Sequence, residues 1–172
     1  ERMQRLGRNY VLAMSDVDHF KKFNDTQGHD VGDQVLRLVA SKLSKISGGG
    51  RAYRYGGEEF ALVFAGKTLE ECMPHLEVIR ESIASYNIQL RNQENRPQDD
   101  QQGRQRLSGA GASSVSVTVS IGVAERVEQR TPEEVLKSAD QALYSAKGAG
   151  RNCVMAFGQN RRGAVRRDNA AG

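Results

Sequence analysis

The sequence predicts an α/β chain: an α+β sandwich with a central, mostly antiparallel sheet flanked by helices. Three observations carry this. Arg51-Ala52-Tyr53-Arg54-Tyr55 alternates aromatic and polar residues, Phe60-Ala61-Leu62-Val63-Phe64 is apolar throughout, and Gly56-Gly57 lies between them, the pattern of an antiparallel hairpin. Val115-Ser116-Val117-Thr118-Val119-Ser120-Ile121-Gly122-Val123 is an alternating, β-branched strand. Between the strands, three stretches repeat their apolar residues at spacings of three and four, which puts each set on one helical face.

Taken in order, Tyr10-Val11-Leu12-Ala13-Met14-Ser15-Asp16 is a buried strand that ends on the acids Asp16 and Asp18. Alternation sends these two to one side and Val17 to the other. A short helix over residues 19–25 stops at Gly28. His29-Asp30-Val31-Gly32-Asp33 then leads into a long helix through about Ser47, with Val35, Leu36, Val39, Leu43 and Ile46 as its stripe and Gly48-Gly49-Gly50 as its end. The glycine run is not a phosphate-binding loop, because no Gly-Lys-Ser/Thr follows it. After the hairpin, Thr68-Leu69-Glu70-Glu71 is a capping box for a helix striped by Leu69, Cys72, Leu76, Ile79 and Ile83; Pro74 comes early enough to bend its first turns only. Asn87-Ile88-Gln89-Leu90 reads as a short strand. Residues 91–114 are so poor in large apolar side chains that they read as a mobile insertion. Thr131-Pro132-Glu133-Glu134 caps the last helix, striped by Leu136, Ala139, Leu143 and Ala146, and a final strand covers residues 152–157.

A length of 172 residues suits one domain with a real core. The net charge of +4 would suggest a nucleic-acid partner if it formed a face, but it sits at the ends. Residues 1–8 carry three arginines against one glutamate, and residues 159–172 four arginines against one aspartate. That leaves the body slightly acidic, so no nucleic-acid surface is indicated. Cys72 and Cys153 share no metal-binding or redox spacing and read as packed thiols in a reducing compartment. No run reaches the roughly 18 apolar residues of a membrane span, so no membrane contact is expected of this stretch. The chain opens on Glu1 without an initiator Met and reads as part of a longer protein. Residues 1–9 are then a linker or helix remnant of an upstream region, 10–158 the domain, and 159–172 a disordered basic tail.

The chemistry-bearing residues cluster at strand ends. Glu58 and Glu59 follow the hairpin glycines, and adjacent like charges repel unless a cation relieves them. Mg²⁺ prefers one or two carboxylates together with substrate phosphates. Taken alone, the turn is equally well a solvated hairpin tip. If the two strands are neighbours, Asp16 and Glu58 converge on shared cations of the kind that assist phosphoryl transfer. Lys147 and Arg151, four apart at a helix end, suit anionic phosphates, or simply complement the negative end of the helix.

Asp16-Val17-Asp18-His19-Phe20-Lys21-Lys22-Phe23-Asn24-Asp25, Gly28-His29-Asp30-Val31-Gly32-Asp33 and Arg54-Tyr55-Gly56-Gly57-Glu58-Glu59-Phe60 together resemble the GGDEF domain of diguanylate cyclases. So do Val119-Ser120-Ile121-Gly122-Val123, Ala139-Asp140-Gln141-Ala142-Leu143-Tyr144 and residues 147–152. The resemblance implies the palm-like fold of nucleotide cyclases. It also implies condensation of two GTP, one per protomer of a homodimer, into cyclic di-GMP and two pyrophosphates in bacterial signalling. Asp16, Val17 through its carbonyl, and Glu58 would ligate two Mg²⁺ or Mn²⁺ ions per active site. Phe20 and Lys21 would lie along the phosphates, Asn24 and Asp33 would read guanine, and Gly56 and Gly57 would let the nucleotide approach the backbone. Lys147 and Arg151 would hold the terminal phosphates. Glu59 has three candidate roles: binding metal, orienting the site or activating the 3′-hydroxyl. The resemblance further implies a cytoplasmic domain, with an upstream sensor or anchor that could hold the full-length protein at the inner membrane.

This chain departs from the family pattern in several places. Glu58 replaces the aspartate of the family's name and keeps a carboxylate. The inhibitory Arg-x-x-Asp falls on Ser47 and Gly50, which predicts no tight product feedback there. The lead-in Asp-x-Leu-Thr-Gly-Leu-x-Asn-Arg does not precede Tyr10, and the 91–114 insertion is long. A catalytically silent module that binds GTP or a partner protein is the alternative reading. It is disfavoured because the signature acid, the first metal aspartate and the basic pair are all present.

Overall fold

The computed structural model describes residues 9–89, 114–127 and 130–158. Its main sheet has five strands: β1 (Tyr10–Val17), β2 (Gly50–Gly56), β3 (Glu59–Ala65), β6 (Val119–Glu125) and β7 (Val154–Ala156). They lie in the order β2-β3-β1-β6-β7, and only the β6–β7 pair is parallel. The mostly antiparallel sheet is as the sequence predicts. A separate ribbon pairs β4 (Ile88–Gln89) with β5 (Ser114–Val115).

The central strand β1 is covered on both faces, which explains its unbroken apolar run. Its alternation divides the core. Val11, Ala13 and Val17 join Val35, Val39 and Leu43 of α2 (His29–Leu43), Leu76 and Ile83 of α3 (Leu69–Ala84), and Phe20 at the head of α1 (Phe20–Gln27). Tyr10 and Met14 face the other way, with Ala61, Ala124 and Val135, Ala139 and Leu143 of α4 (Pro132–Gly148). Even-numbered β1 residues therefore face α4, and Asp16 is the last of them inside the strand.

Gly122 fixes how closely α4 approaches. A Cβ there would stand 2.0 Å from the Leu143 nitrogen and 2.3 Å from the Ala139 oxygen, so only glycine lets the α4 backbone lie on β6. Both predicted capping boxes form, Thr68 with Glu71 and Thr131 with Glu134, and α3 runs on through Pro74.

Four expectations need correction. The long helix ends at Leu43 rather than near Ser47; Ile46 still reaches the core through a tighter turn in which its N–H bonds the Leu43 oxygen at 3.1 Å. The alternating 115–123 run is not one strand. Its first part pairs with β4 and its second with β1, and residues 116–118 between them belong to neither ladder. The insertion consequently stops before Ser114, which is in β5; its residues 91–113, like residues 1–8 and the tail from 159, lie outside the described residues. The last strand shrinks to three residues, because Arg151 and Asn152 take left-handed φ angles of 64° and 45° that no strand accepts.

Candidate active site

The predicted hairpin forms with a shifted tip. Gly56 pairs with Glu59 after a bulge in β2, so the two loop residues are Gly57 and Glu58 rather than the two glycines. Gly57, at φ 46°, is the position that demands glycine. Arg54 clamps the turn by donating from Nε at 3.1 Å and Nη2 at 2.7 Å to the Gly57 oxygen. Gly56 has no left-handed φ, and a Cβ there would meet nothing within 4 Å. The protein itself does not require a glycine at 56, and the space above it is open.

This turn meets the end of β1. The Val17 N–H bonds the Glu58 oxygen at 3.4 Å, and Asp16 stands directly opposite Glu59 in the β1–β3 register. Opposite residues of an antiparallel pair share a face, so Glu59 lies on the α4 side with Asp16. From α4, Lys147 donates its Nζ to Asp16 Oδ2. Asp16 is 5% exposed, and this ion pair leaves its other oxygen for a second partner. The carboxyl of Glu58 titrates above its ordinary range, first through partial burial and then through repulsion from Asp16, which Lys147 partly offsets. Among the described residues, no three or more His, Cys, Asp or Glu side chains form a ready metal cage. Two carboxylates in mutual repulsion are nevertheless what Mg²⁺ takes when phosphates supply further oxygens, and the donor set fits such an ion.

Asp18 belongs to a different system. Its Oδ1 accepts from Ser120 Oγ at 2.6 Å, and its Oδ2 from Thr118 Oγ1 at 2.6 Å and the Asn152 N–H at 3.0 Å. Shared alternation made Asp16 and Asp18 look alike in the sequence, but only Asp16 retains capacity for a cation.

The remaining predicted residues surround this centre. The Phe20 side chain is buried in the core beside Phe23, so only its backbone is left for a ligand. Lys21 and Asp33 are exposed, on α1 and α2. Asn24 Oδ1 is buried without a hydrogen-bond partner, and it occupies the space where a side chain at Gly32 would begin, 1.8 Å from that Cβ position. Arg151 is not on the helix with Lys147. It sits in the turn three residues beyond the end of α4, exposed and with positive φ. Sequence reasoning missed Gly32, Gly122 and the Arg54 clamp. The first two are glycines inside regular elements, which is itself the signal of a close approach.

The family profile described as the GGDEF domain of diguanylate cyclases matches residues 1–103 and 97–153. The chain belongs to the GGDEF family. It is 39% identical over 150 residues to the diguanylate cyclase VdcA of Vibrio cholerae, covering 87% of this chain and 39% of VdcA. The GGDEF domain of DgcB from Caulobacter crescentus, solved with c-di-GMP, superposes with a TM-score of 0.75 at 36% identity, over 92% of this chain and 81% of that one. The active GGEEF domain of a Vibrio cholerae diguanylate cyclase gives 0.70 at 27% identity, over 92% and 89%. The GGDEF chain therefore spans well under half the length of the curated relative VdcA. No helix among the described residues is long and apolar enough to cross a membrane.

Proposed function

We propose that two copies of this chain, each holding one GTP, condense the pair to cyclic di-GMP with release of two pyrophosphates. The reading rests on the meeting of Asp16, Glu58 and Lys147 at the open end of β1, beside a hairpin with free space above Gly56. The Vibrio cholerae relative described as an active GGEEF domain supports glutamate as a working residue at position 58.

Asp16 and Glu58, with the Val17 carbonyl, would hold two Mg²⁺ or Mn²⁺ ions, and Glu59 would add a third carboxylate on the face of Asp16. When bound, such ions offset the charge that develops on the phosphoryl oxygens. Lys147, in contact with Asp16, joins Arg151 on the terminal phosphates. Lys21 and the amides at the start of α1 follow the phosphate chain. Asn24 and Asp33 read the guanine edge, and the unpartnered Asn24 Oδ1 gains an N–H donor when the base enters. Gly56 leaves room for the nucleotide.

The reaction joins a 3′-hydroxyl to an α-phosphate, so the protein contributes positioning and charge stabilisation. One protomer offers one nucleotide site, and a twofold homodimer brings the two substrates face to face. Its substrate assigns the domain to the cytoplasm, with control left to an upstream sensor or anchor. The test is incubation with GTP and Mg²⁺. Cyclic di-GMP from the wild type, and none from Asp16→Ala or Glu58→Ala, supports the reading; product from both variants rules out the metal roles.

A further inference from the structure

Arg151 carries a phosphate-binding role in the proposed function, yet its backbone is in an unfavourable conformation on an exposed turn. Arg151 and Asn152 are consecutive non-glycine residues with φ 64° and 45°. Such angles persist where the surroundings over-determine them. Here they do, at Asn152. Its N–H donates to Asp18 Oδ2 at 3.0 Å, and its Oδ1 accepts from Arg80 Nη1 at 2.7 Å. The N–H of Arg151 bonds back to the Ala146 oxygen at 3.0 Å.

Arg80 is built for this contact. It comes from α3, 72 residues away in sequence, and its side chain is only 16% exposed. Its other nitrogens are also engaged: Nε donates to Glu77 Oε2 at 2.9 Å and Nη2 to Glu81 Oε2 at 3.1 Å. The guanidinium is thus fixed from two sides on its own helix, with Nη1 aimed at the turn. A planar fork with several donors can do this where an ammonium cannot.

We infer that Arg80 is a positioning residue for the phosphate site: by clamping Asn152 against Asp18, it holds the left-handed turn that carries Arg151, three residues beyond the end of α4. The inference rests on the phosphate role proposed for Arg151. Arg80 touches no nucleotide and acts only through Asn152. Without it, the turn relaxes toward ordinary φ angles and Arg151 points elsewhere, while the core and the Asp16–Glu58 pair stay intact.

The test is calorimetric binding of a slowly hydrolysed GTP analogue with Mg²⁺ to the 172-residue chain, with Arg80→Ala and Arg151→Ala combined in a double-mutant cycle. Loss of one charge-assisted phosphate contact weakens binding about tenfold. Each single variant is expected to show that loss, and the double variant no more than either single one. Glycine accepts positive φ unaided, so Asn152→Gly in the Arg80→Ala background is expected to recover part of the affinity. A purely structural role would give no such recovery and additive losses. Arg80→Lys, which keeps the charge, serves should Arg80→Ala fail to fold, and is expected to bind the analogue more weakly than wild type. Wild-type affinity in either Arg80 variant, or additive losses, overturns the inference. A wild-type chain that does not bind the analogue refutes the nucleotide reading itself, and the inference with it.

Discussion

Asp16 and Asp18 stand two residues apart, yet one lies in a region with unspent charge and the other in a region where every oxygen is satisfied. Around Asp16, Glu58 is held above its usual titration range by burial and by repulsion from Asp16, and a single lysine offsets part of this. Around Asp18, two hydroxyls and a backbone N–H saturate the carboxylate. Buried polar groups that are fully paired hold a fold together, whereas groups left short of partners mark where a ligand belongs. Under the proposed function, two acids of one motif thus divide into a working acid and a building acid.

The largest expected effect separates the two directly. Asp16→Asn keeps shape and a hydrogen-bond acceptor but removes the charge a cation needs. Cyclase activity is expected to fall by about a thousandfold or more, by analogy with loss of a transition-state electrostatic contact, while the thermal midpoint moves little. Asp18→Ala should do the reverse to stability. It leaves the Asn152 N–H and two hydroxyls without their acceptor, and a loss of about 2–4 kcal/mol is expected in urea unfolding. Gly122→Ala, which drives a methyl into the α4 backbone, is expected to cost about 1–3 kcal/mol and to displace Lys147 from Asp16 as the helix shifts.

How much of this contrast could be read from the sequence depends on the distance to the partners. The strands, the helices and both capping boxes follow from local pattern, and so does the meeting of Asp16 with the hairpin once β1 and β3 are paired. The difference between Asp16 and Asp18 does not. Thr118, Ser120 and Asn152 lie 100, 102 and 134 residues downstream of Asp18, and no local period announces a hydrogen bond. The split of the 115–123 run between two ladders is hidden for the same reason, since alternation looks alike whichever strand it pairs with. Gly57 is legible as a turn residue, but the bulge that moves Glu58 into the loop depends on the register with β3.

A smaller effect tests the charge surplus through stability. The Glu58 carboxyl titrates higher in the folded chain than in the unfolded one. Its protonated form therefore favours folding below the ordinary carboxyl range, and that contribution is lost as pH rises through the raised folded value. Glu58→Gln is then expected to raise the thermal midpoint slightly near neutral pH without divalent metal, and not at acid pH. Adding Mg²⁺ should narrow the gap by stabilising the wild type alone. The smallest expected effect is at the inhibitory position. Positions 47 and 50 carry a serine and a glycine in place of an arginine and a carboxylate; Ser47 Oγ is paired with His75 Nδ1 at 2.7 Å, and a side chain at Gly50 would meet the Phe64 ring at 2.6 Å. Calorimetry should find no micromolar cyclic di-GMP binding that Ser47→Ala alters.

The measurement closest to the central claim follows Mg²⁺-dependent conversion of GTP by the wild type, Glu58→Gln and Asp18→Asn side by side, at a temperature where all three are folded. The account predicts cyclic di-GMP, with two pyrophosphates per product, from the wild type and at reduced yield from Asp18→Asn, and none from Glu58→Gln. Equal turnover by Glu58→Gln and the wild type, or complete loss only in Asp18→Asn, would contradict the division between the working and the building acid.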